Sequence, residues 1–164
     1  MASKVLVVYY SRTGNTRRMA EFVADGAKAA GGNVTLKEVE NANAEELLDY
    51  DAVILGSPVY YGSMAAEMKN LLDESVEFHG KLDGKVGAAF ASSANIGGGN
   101  ETTILDMLNA MLIHGMVIQG NPAGDHYGPV SIGAPDERVK KQCRELGRRT
   151  VQLANRLAAG AGRG

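Results

Sequence analysis

The 164-residue sequence is poor in several features that would mark particular classes of protein. Its one cysteine, Cys143, allows no intrachain disulfide, so a reducing, cytoplasmic compartment is the expected setting. The 17 Lys and Arg residues against 19 Asp and Glu give a net charge of -2, which indicates neither nucleic-acid binding nor attachment to a membrane surface. No apolar run approaches the roughly 20 residues of a membrane-spanning helix, and the N-terminal stretch lacks the pattern of a signal peptide.

What the sequence does contain is an alternation of β-like and helical patterns. Short apolar runs predict five strands, and apolar residues at helical spacing predict helices between them and after the last one. This order predicts an α/β fold, a doubly wound parallel sheet with strand order 2-1-3-4-5 and helices on both faces. A single domain is expected over residues 1–157, with a flexible tail at 158–164. The predicted strands are 4–10, 33–38, 52–56, 85–91 and 116–119, and the segment 120–135 is expected to be irregular.

Three of the predicted strands end in loops that are rich in hydroxyl groups, amides or glycine. These loops begin at Ser11, Ser57 and Ser92, after the first, third and fourth strands, which are neighbours in the predicted sheet. The carboxyl ends of parallel strands share one edge of the sheet, and ligands bind there where the strand order reverses. The three loops are therefore predicted to form one binding site.

The first loop is suited to a phosphate group. It precedes a predicted helix, whose unpaired N-terminal N–H groups and dipole favour an anion. Gly14 permits close approach of the backbone, and the absence of lysine and of Walker spacing argues against a nucleoside triphosphate. The alternative is that the polar residues are ordinary helix N-caps. The predicted phosphate contacts are Ser11, Arg12, Thr13, Gly14, Asn15 and Thr16.

The second and third loops are suited to a flat ring system. Of the adjacent Tyr60 and Tyr61, one ring is expected to face the ligand and the other to pack on the domain. The glycines of the third loop expose backbone N–H groups, which can donate to a flavin ring and stabilise the negative charge of its reduced form. The alternatives are a core-boundary position for either tyrosine and a flexible glycine turn. The predicted contacts are Pro58, Val59, Tyr60, Tyr61, Gly62, Ser93, Ala94, Asn95, Ile96, Gly97 and Gly98.

Together these stretches resemble a known family. Residues 11–16 are similar to the flavodoxin phosphate loop, and about 4–157 resembles the tryptophan-repressor-binding-protein type of NAD(P)H:quinone oxidoreductase, a flavodoxin-like FMN family. The matching stretches are KVLVVYYS, LLDYDAVILGSPVYYGS, GGGNET, HGMVIQG and YGPVSIGAPDE. The resemblance implies a flavodoxin-like fold, FMN as cofactor, NAD(P)H as electron donor, a quinone-like acceptor and a homo-oligomer, either a dimer or a tetramer.

For two histidines, the sequence allows either a role in the site or a structural role. The resemblance implies that His114 contacts the flavin, a contact that a neighbouring subunit could supply, whereas its position after an apolar helix favours a C-terminal cation. His126 lies in the irregular segment and is expected to line the site above the flavin, the alternative being a surface turn.

The sequence predicts an FMN-dependent oxidoreductase that passes electrons from NAD(P)H to a quinone or similar acceptor. No metal-ligand spacing or nucleophile motif is present, so the flavin is expected to carry the chemistry. The family that the chain resembles lines its quinone pocket with a tryptophan, and this chain has none. The sequence therefore indicates the electron acceptor less precisely than the cofactor. The alternatives are a flavodoxin-type electron carrier that serves a redox protein, and a flavin-binding subunit of a larger enzyme.

Overall fold

A computed structural model describes residues 2–161, along which strands and helices alternate. None of the helices in this part of the chain has the length and apolar character needed to cross a membrane. The strands are β1 (Lys4–Tyr9), β2 (Asn33–Glu38), β3 (Ala52–Pro58), β4 (Val86–Ser93), β5 (Val117–Ile118) and β6 (Val130–Ile132). The helices are α1 (Asn15–Ala29), α2 (Ala66–Glu74), α3 (Asn100–Ile113) and α4 (Glu137–Ala161), and 3₁₀ segments occur at Val39–Asn41, Glu45–Asp49 and Ser75–Phe78.

The strands form one parallel sheet in the order β2-β1-β3-β4-β5, which confirms the predicted topology. The central strand β1 is apolar on both of its faces, so residues from Val5 to Val8 are fully buried. On one face of the sheet, α1 and α4 bury side chains such as Met19 and Cys143. On the other face, α2 and α3 bury side chains such as Met68 and Met107. The expectation of helices on both faces is therefore confirmed.

The outer position next to β4 differs from the prediction, because two short strands share it. Strand β5 pairs with the beginning of β4, and β6 pairs with its end, from Ala91 to Ser93. The segment 119–129 loops out between β5 and β6 and returns to the same edge. The prediction placed β6 inside an irregular segment. A three-residue strand between Pro129 and Gly133 carries little local signal, and its pairing with β4 is what makes it a strand.

Helix α4 packs along α1 at a distance that only glycine allows. A Cβ atom on Gly26 would lie 2.0 Å from the carbonyl oxygen of Arg144, and one on Gly147 would lie 2.1 Å from that of Val23. The helix continues to Ala161, so the predicted tail at 158–164 is helical over its first four residues. Alanine favours helix strongly enough to extend α4 past its last core contacts. The rest of that tail, 162–164, lies outside the described residues.

Candidate functional site

The structure brings the three predicted loops together at the carboxyl edge of the sheet. They follow β1, β3 and β4, which are adjacent and in register. The hydroxyl oxygens of Thr16 and Ser92 lie 2.9 Å apart, and the Val59 N–H donates to the Ser92 carbonyl at 2.8 Å. The Thr102 hydroxyl of α3 donates to the Gly62 carbonyl at 2.6 Å. Each loop is thus tied to another loop or to α3, so the three form one surface.

The first loop leaves the N-terminus of α1 without a side-chain cap in the described part of the chain. The N-cap residue is Gly14, with a left-handed φ of 96° and no side-chain hydrogen bond to the helix. The Ser11 hydroxyl accepts the Gly14 N–H at 3.1 Å, and the hydroxyl of buried Thr16 is engaged by Ser92. The N-cap alternative is therefore not what the structure shows. The first N–H groups of α1 face the loop, where the helix dipole favours an anion.

In the second loop, Tyr60–Ser63 forms a tight turn that presents one tyrosine to solvent. The Tyr60 N–H donates to the Ser63 carbonyl at 2.9 Å, and the reverse hydrogen bond is 3.2 Å long. The ring of Tyr60 meets that of Tyr10 edge-on, with centroids 6.2 Å apart, whereas the side chain of Tyr61 is fully exposed. Tyr61 has a φ of 48°, the only positive value of a non-glycine residue between positions 2 and 161. The two tyrosines therefore differ in exposure, Tyr60 at 37% and Tyr61 fully exposed, and which ring faces a ligand stays a prediction.

The third loop exposes backbone N–H groups beyond the end of β4. The Ser93 hydroxyl donates to the Asn95 carbonyl at 2.8 Å, and the Gly98 N–H donates to the same oxygen at 3.1 Å. Within the described residues, the N–H groups of Asn95, Ile96 and Gly97 donate to no protein atom. A Cβ atom added at Gly97 would meet nothing within 4 Å, so the space beside the loop is open. An open cradle of N–H donors fits the edge of a flavin ring.

His126 is placed in a surface turn of the segment between β5 and β6. Its ring nitrogen Nδ1 lies 2.8 Å from the Asn121 carbonyl, and its own carbonyl accepts the Asn121 N–H at 3.0 Å. The side chain is exposed. These contacts correspond to the surface-turn alternative, and a role above the flavin stays a prediction.

His114 lies at the opposite end of α3 from the three loops, so one chain does not bring it to them. Its Nε2 atom is 2.7 Å from the hydroxyl oxygen of Ser75, which itself donates to the Leu72 carbonyl. His114 Nε2 therefore carries the proton and donates. Burial, together with the neighbouring ring of His79, lowers the pKa of His114, so the neutral form is favoured. The lowered pKa disfavours the alternative of a C-terminal cation, and both this alternative and a flavin contact across subunits stay predictions.

Several residues that shape the site were missed by sequence reasoning. Asn100 is buried behind the third loop, and Thr102 and Asp106 of α3 hold the second loop through Gly62 and Ser63. A polar residue in the first turn of a helix indicates a cap or an exposed position, and the contacts of Thr102 and Asp106 join residues 40 and 43 positions apart in the chain. The polar character of 100–102 after three glycines was the only available signal.

The fold and this edge of the sheet define a flavodoxin-like α/β protein. A family model for the flavodoxin domain matches residues 6–111, more than half of the chain, and the chain belongs to this family. Membership of the flavodoxin-domain family confirms FMN as the cofactor that the loops and the resemblance predicted. The open glycines and unpaired N–H groups of the first and third loops fit its phosphate and its ring.

Similar proteins span almost the whole chain. It is 36% identical to an NAD(P)H dehydrogenase (quinone) of Archaeoglobus fulgidus, in an alignment that covers 94% of this chain and 99% of the relative. A second protein of that name, from Sinorhizobium fredii, is 43% identical and covers 95% and 99%. A flavodoxin of Aquifex aeolicus is 40% identical and covers 91% and 85%. Among solved structures, the WrbA-like flavodoxin from Agrobacterium tumefaciens aligns with a TM-score of 0.80 at 28% identity, covering 94% and 99%.

Proposed function

We propose that this protein is an FMN-dependent oxidoreductase that takes electrons from NAD(P)H and passes them to a quinone or a similar acceptor. The observation that carries the proposal is the single surface formed by the three loops, with its unpaired backbone N–H groups. The names of two relatives, both NAD(P)H dehydrogenase (quinone), support the choice of donor and acceptor.

The phosphate of FMN would be held by residues 11–16. The N–H groups at the start of α1 donate to the phosphate oxygens, and the helix dipole stabilises their charge. Arg12 is exposed beside these groups and adds a positive charge that the loop otherwise lacks. The left-handed backbone at Gly14 lets the chain approach the phosphate without a side chain in the way.

The ring of FMN would lie between the second and third loops. Tyr60 and Tyr61 cover apolar ring surface and exclude water from it. The N–H groups from Asn95 to Gly97 donate to polar atoms of the ring and favour the negative charge of its reduced form. When bound, FMN supplies the chemistry by accepting a hydride from NAD(P)H and releasing two electrons to the acceptor.

The direct test follows NADH and NADPH oxidation by the FMN-loaded protein under anaerobic conditions, with 1,4-benzoquinone as acceptor. We expect turnover with at least one of the nucleotides at about 1 s⁻¹ or faster, a typical range for enzymes. Free FMN at the same concentration is the control. A loaded protein that oxidises neither nucleotide faster than free FMN would contradict the proposed activity.

A second candidate function is that of an electron carrier with no turnover of its own. The 40% identity to a protein named flavodoxin favours it. Carriers of this kind depend on strong charge to dock on their partners, and the net charge of -2 argues for the enzyme instead. In the assay above, FMN that is reduced by dithionite but not by NAD(P)H would identify the carrier.

We also propose a homo-oligomer that uses the outer face of α3. Leu105, Leu112 and Ile113 are exposed on this helix, and Val76 is exposed on the 3₁₀ segment after α2. A helix that is apolar on both sides is typical of a buried position, which a second copy of the chain would provide. Light scattering during size-exclusion chromatography should give the mass of a dimer or tetramer, and Ile113→Glu should lower it. A monomeric wild-type mass at micromolar concentration would contradict this proposal.

A cytoplasmic location belongs to the same proposal. Cys143 is fully buried, and burial raises the pKa of its thiol, so the group stays protonated and inert. The Cys143 side chain packs in the core between the sheet and the helices α1 and α4. A chain whose one cysteine can form no intrachain disulfide suits a reducing compartment.

A further inference from the structure

Asn100, the first residue of α3, is buried although a helix start normally faces solvent. The residue is 4% exposed, and its side chain lies behind the third loop, between the end of β4 and strand β6. The cap position before it is Gly99, which has a left-handed φ of 107° and forms no side-chain cap. The Asn100 amide therefore has a role other than helix capping.

The amide nitrogen of Asn100 fixes the direction of a chain of hydrogen bonds. Nδ2 donates to the Ser93 hydroxyl oxygen at 2.9 Å and lies 3.5 Å from the Ser131 carbonyl of β6. Because Nδ2 can only donate, Ser93 must accept from it, and the single Ser93 proton is left for the Asn95 carbonyl at 2.8 Å.

This chain ends on the backbone of the loop that would face the flavin. The Asn95 carbonyl receives both the Ser93 hydroxyl and the Gly98 N–H, which closes residues 95–98 into a turn with a left-handed Gly97. The N–H groups of Asn95, Ile96 and Gly97 have no acceptor in the described part of the chain. The turn thus holds these three N–H donors in fixed positions, which a mobile glycine loop would not do.

The hydrogen bond between Asn100 and Ser93 matters energetically because Asn100 is buried. Among the residues that the structure describes, the buried Asn100 Oδ1 atom has no hydrogen-bond partner, which is unfavourable. The hydrogen bonds that Nδ2 donates offset part of this cost. Strand β6 supports the same place from the other side, because the Gly133 N–H donates to the Ser93 carbonyl at 2.8 Å.

We propose that Asn100 is a positioning residue for the flavin ring, which acts through Ser93 to hold the backbone donors of residues 95–97. The inference rests on the proposed FMN site and adds a residue that does not touch the cofactor. It deepens that proposal by naming the side-chain contacts that hold the glycine-rich third loop in its turn.

The test compares Asn100→Ala with Asn33→Ala, which removes an exposed asparagine at the start of β2, at the opposite edge of the sheet from the loops. We expect Asn100→Ala to raise the Kd of the apoprotein for FMN about tenfold, the usual effect of one lost buried hydrogen bond, as measured by quenching of flavin fluorescence. The midpoint potential of the bound flavin should shift to more negative values, because donors that favour its reduced form are less well held. Asn33→Ala should change neither quantity.

Two further variants separate positioning from stability. Asn100→Asp keeps the size of the side chain but turns a donor into an acceptor, so the Ser93 proton moves to it and the Asn95 carbonyl is released; the Kd should rise here as well. In a double-mutant cycle, Ser93→Ala and Asn100→Ala together should weaken FMN binding no more than Ser93→Ala alone. Unchanged Kd values and potentials in both Asn100 variants would overturn the inference while leaving the proposed function intact. A wild-type protein that does not bind FMN would instead overturn the proposed function.

Discussion

Tyr61 shows at the scale of one residue that the second loop holds a strained backbone. A left-handed conformation costs an L-residue other than glycine about 1 kcal/mol or more, and such strain persists only where the surroundings impose it. Here the Thr102 and Asp106 side chains hold the turn at Gly62 and Ser63, directly after Tyr61, and the ring itself is fully exposed. A strained and exposed aromatic residue beside a ligand site indicates a role in binding.

Tyr61→Asn should therefore separate stability from binding. Asparagine tolerates the left-handed region, so the free energy of unfolding of the apoprotein should rise by about 0.5–1 kcal/mol in urea denaturation. The Kd for FMN should rise severalfold, because the ring surface is lost. Tyr61→Phe, which keeps both the ring and the left-handed backbone, is the matched control and should alter neither. Lower stability of Tyr61→Asn would contradict the assigned strain.

His114 makes folding depend on pH. Burial and the adjacent His79 lower its pKa in the folded protein, so the unfolded chain takes up the proton first as the pH falls. Stability should be constant well above the ordinary histidine pKa of about 6.5 and should decrease as the pH drops below it. The decrease from this one group is at most about 1.4 kcal/mol per pH unit.

Measuring the free energy of unfolding between pH 8 and 5 checks this sign. His114→Gln keeps a donor for the Ser75 hydroxyl but cannot be protonated, so its stability should vary less with pH than that of the wild type. Identical pH profiles for the two proteins would show that His114 does not titrate on unfolding.

Strand β6 shows, at the scale of an element, how side-chain hydrogen bonds stabilise a strand that the local sequence pattern does not predict. The Asp125 carboxylate accepts the Val130 N–H at 2.9 Å and pairs with Arg138 of α4 at 2.8 Å. The Arg138 guanidinium also donates to the Val130 carbonyl at 2.8 Å. Both backbone groups of Val130 are therefore bound by side chains from outside the sheet. The sequence could not reveal β6, because its start depends on residues five positions before it and eight positions after it.

Arg138→Ala should loosen β6 while leaving the rest of the sheet intact. Faster amide hydrogen exchange is expected from Val130 to Ile132, with a loss of about 1 kcal/mol in the free energy of unfolding. Arg144→Ala removes an exposed arginine of the same helix, whose ion pair with Asp25 is 3.5 Å long, and should leave exchange in β6 unchanged. Equal exchange in the two variants would show that the Asp125–Arg138 pair does not hold the strand.

At the scale of the whole molecule, the strand order and the meeting of the loops followed from the sequence. The buried runs in β1, β3 and β4 are long enough to specify parallel strands, and topology rules then place their carboxyl ends side by side. The contacts that shape the site were not predictable in the same way. Asn100 and Thr102 act across turns whose geometry local patterns do not fix, and the burial of His114 depends on packing against the segment after α2.

The central claim, that FMN binds across these loops with its phosphate at Gly14, is tested most directly by titrating FMN into apoprotein. Gly14 and Gly31 flank the two ends of α1, both have left-handed backbone, and a Cβ atom at either would meet nothing within 4 Å. Alanine therefore has a similar conformational cost at both positions, but only Gly14 lies at the phosphate site. We predict one FMN per wild-type chain, an unchanged Kd in Gly31→Ala and a Kd raised about tenfold or more in Gly14→Ala. A wild-type chain that binds no FMN, or equal Kd values in the two variants, would contradict the claim.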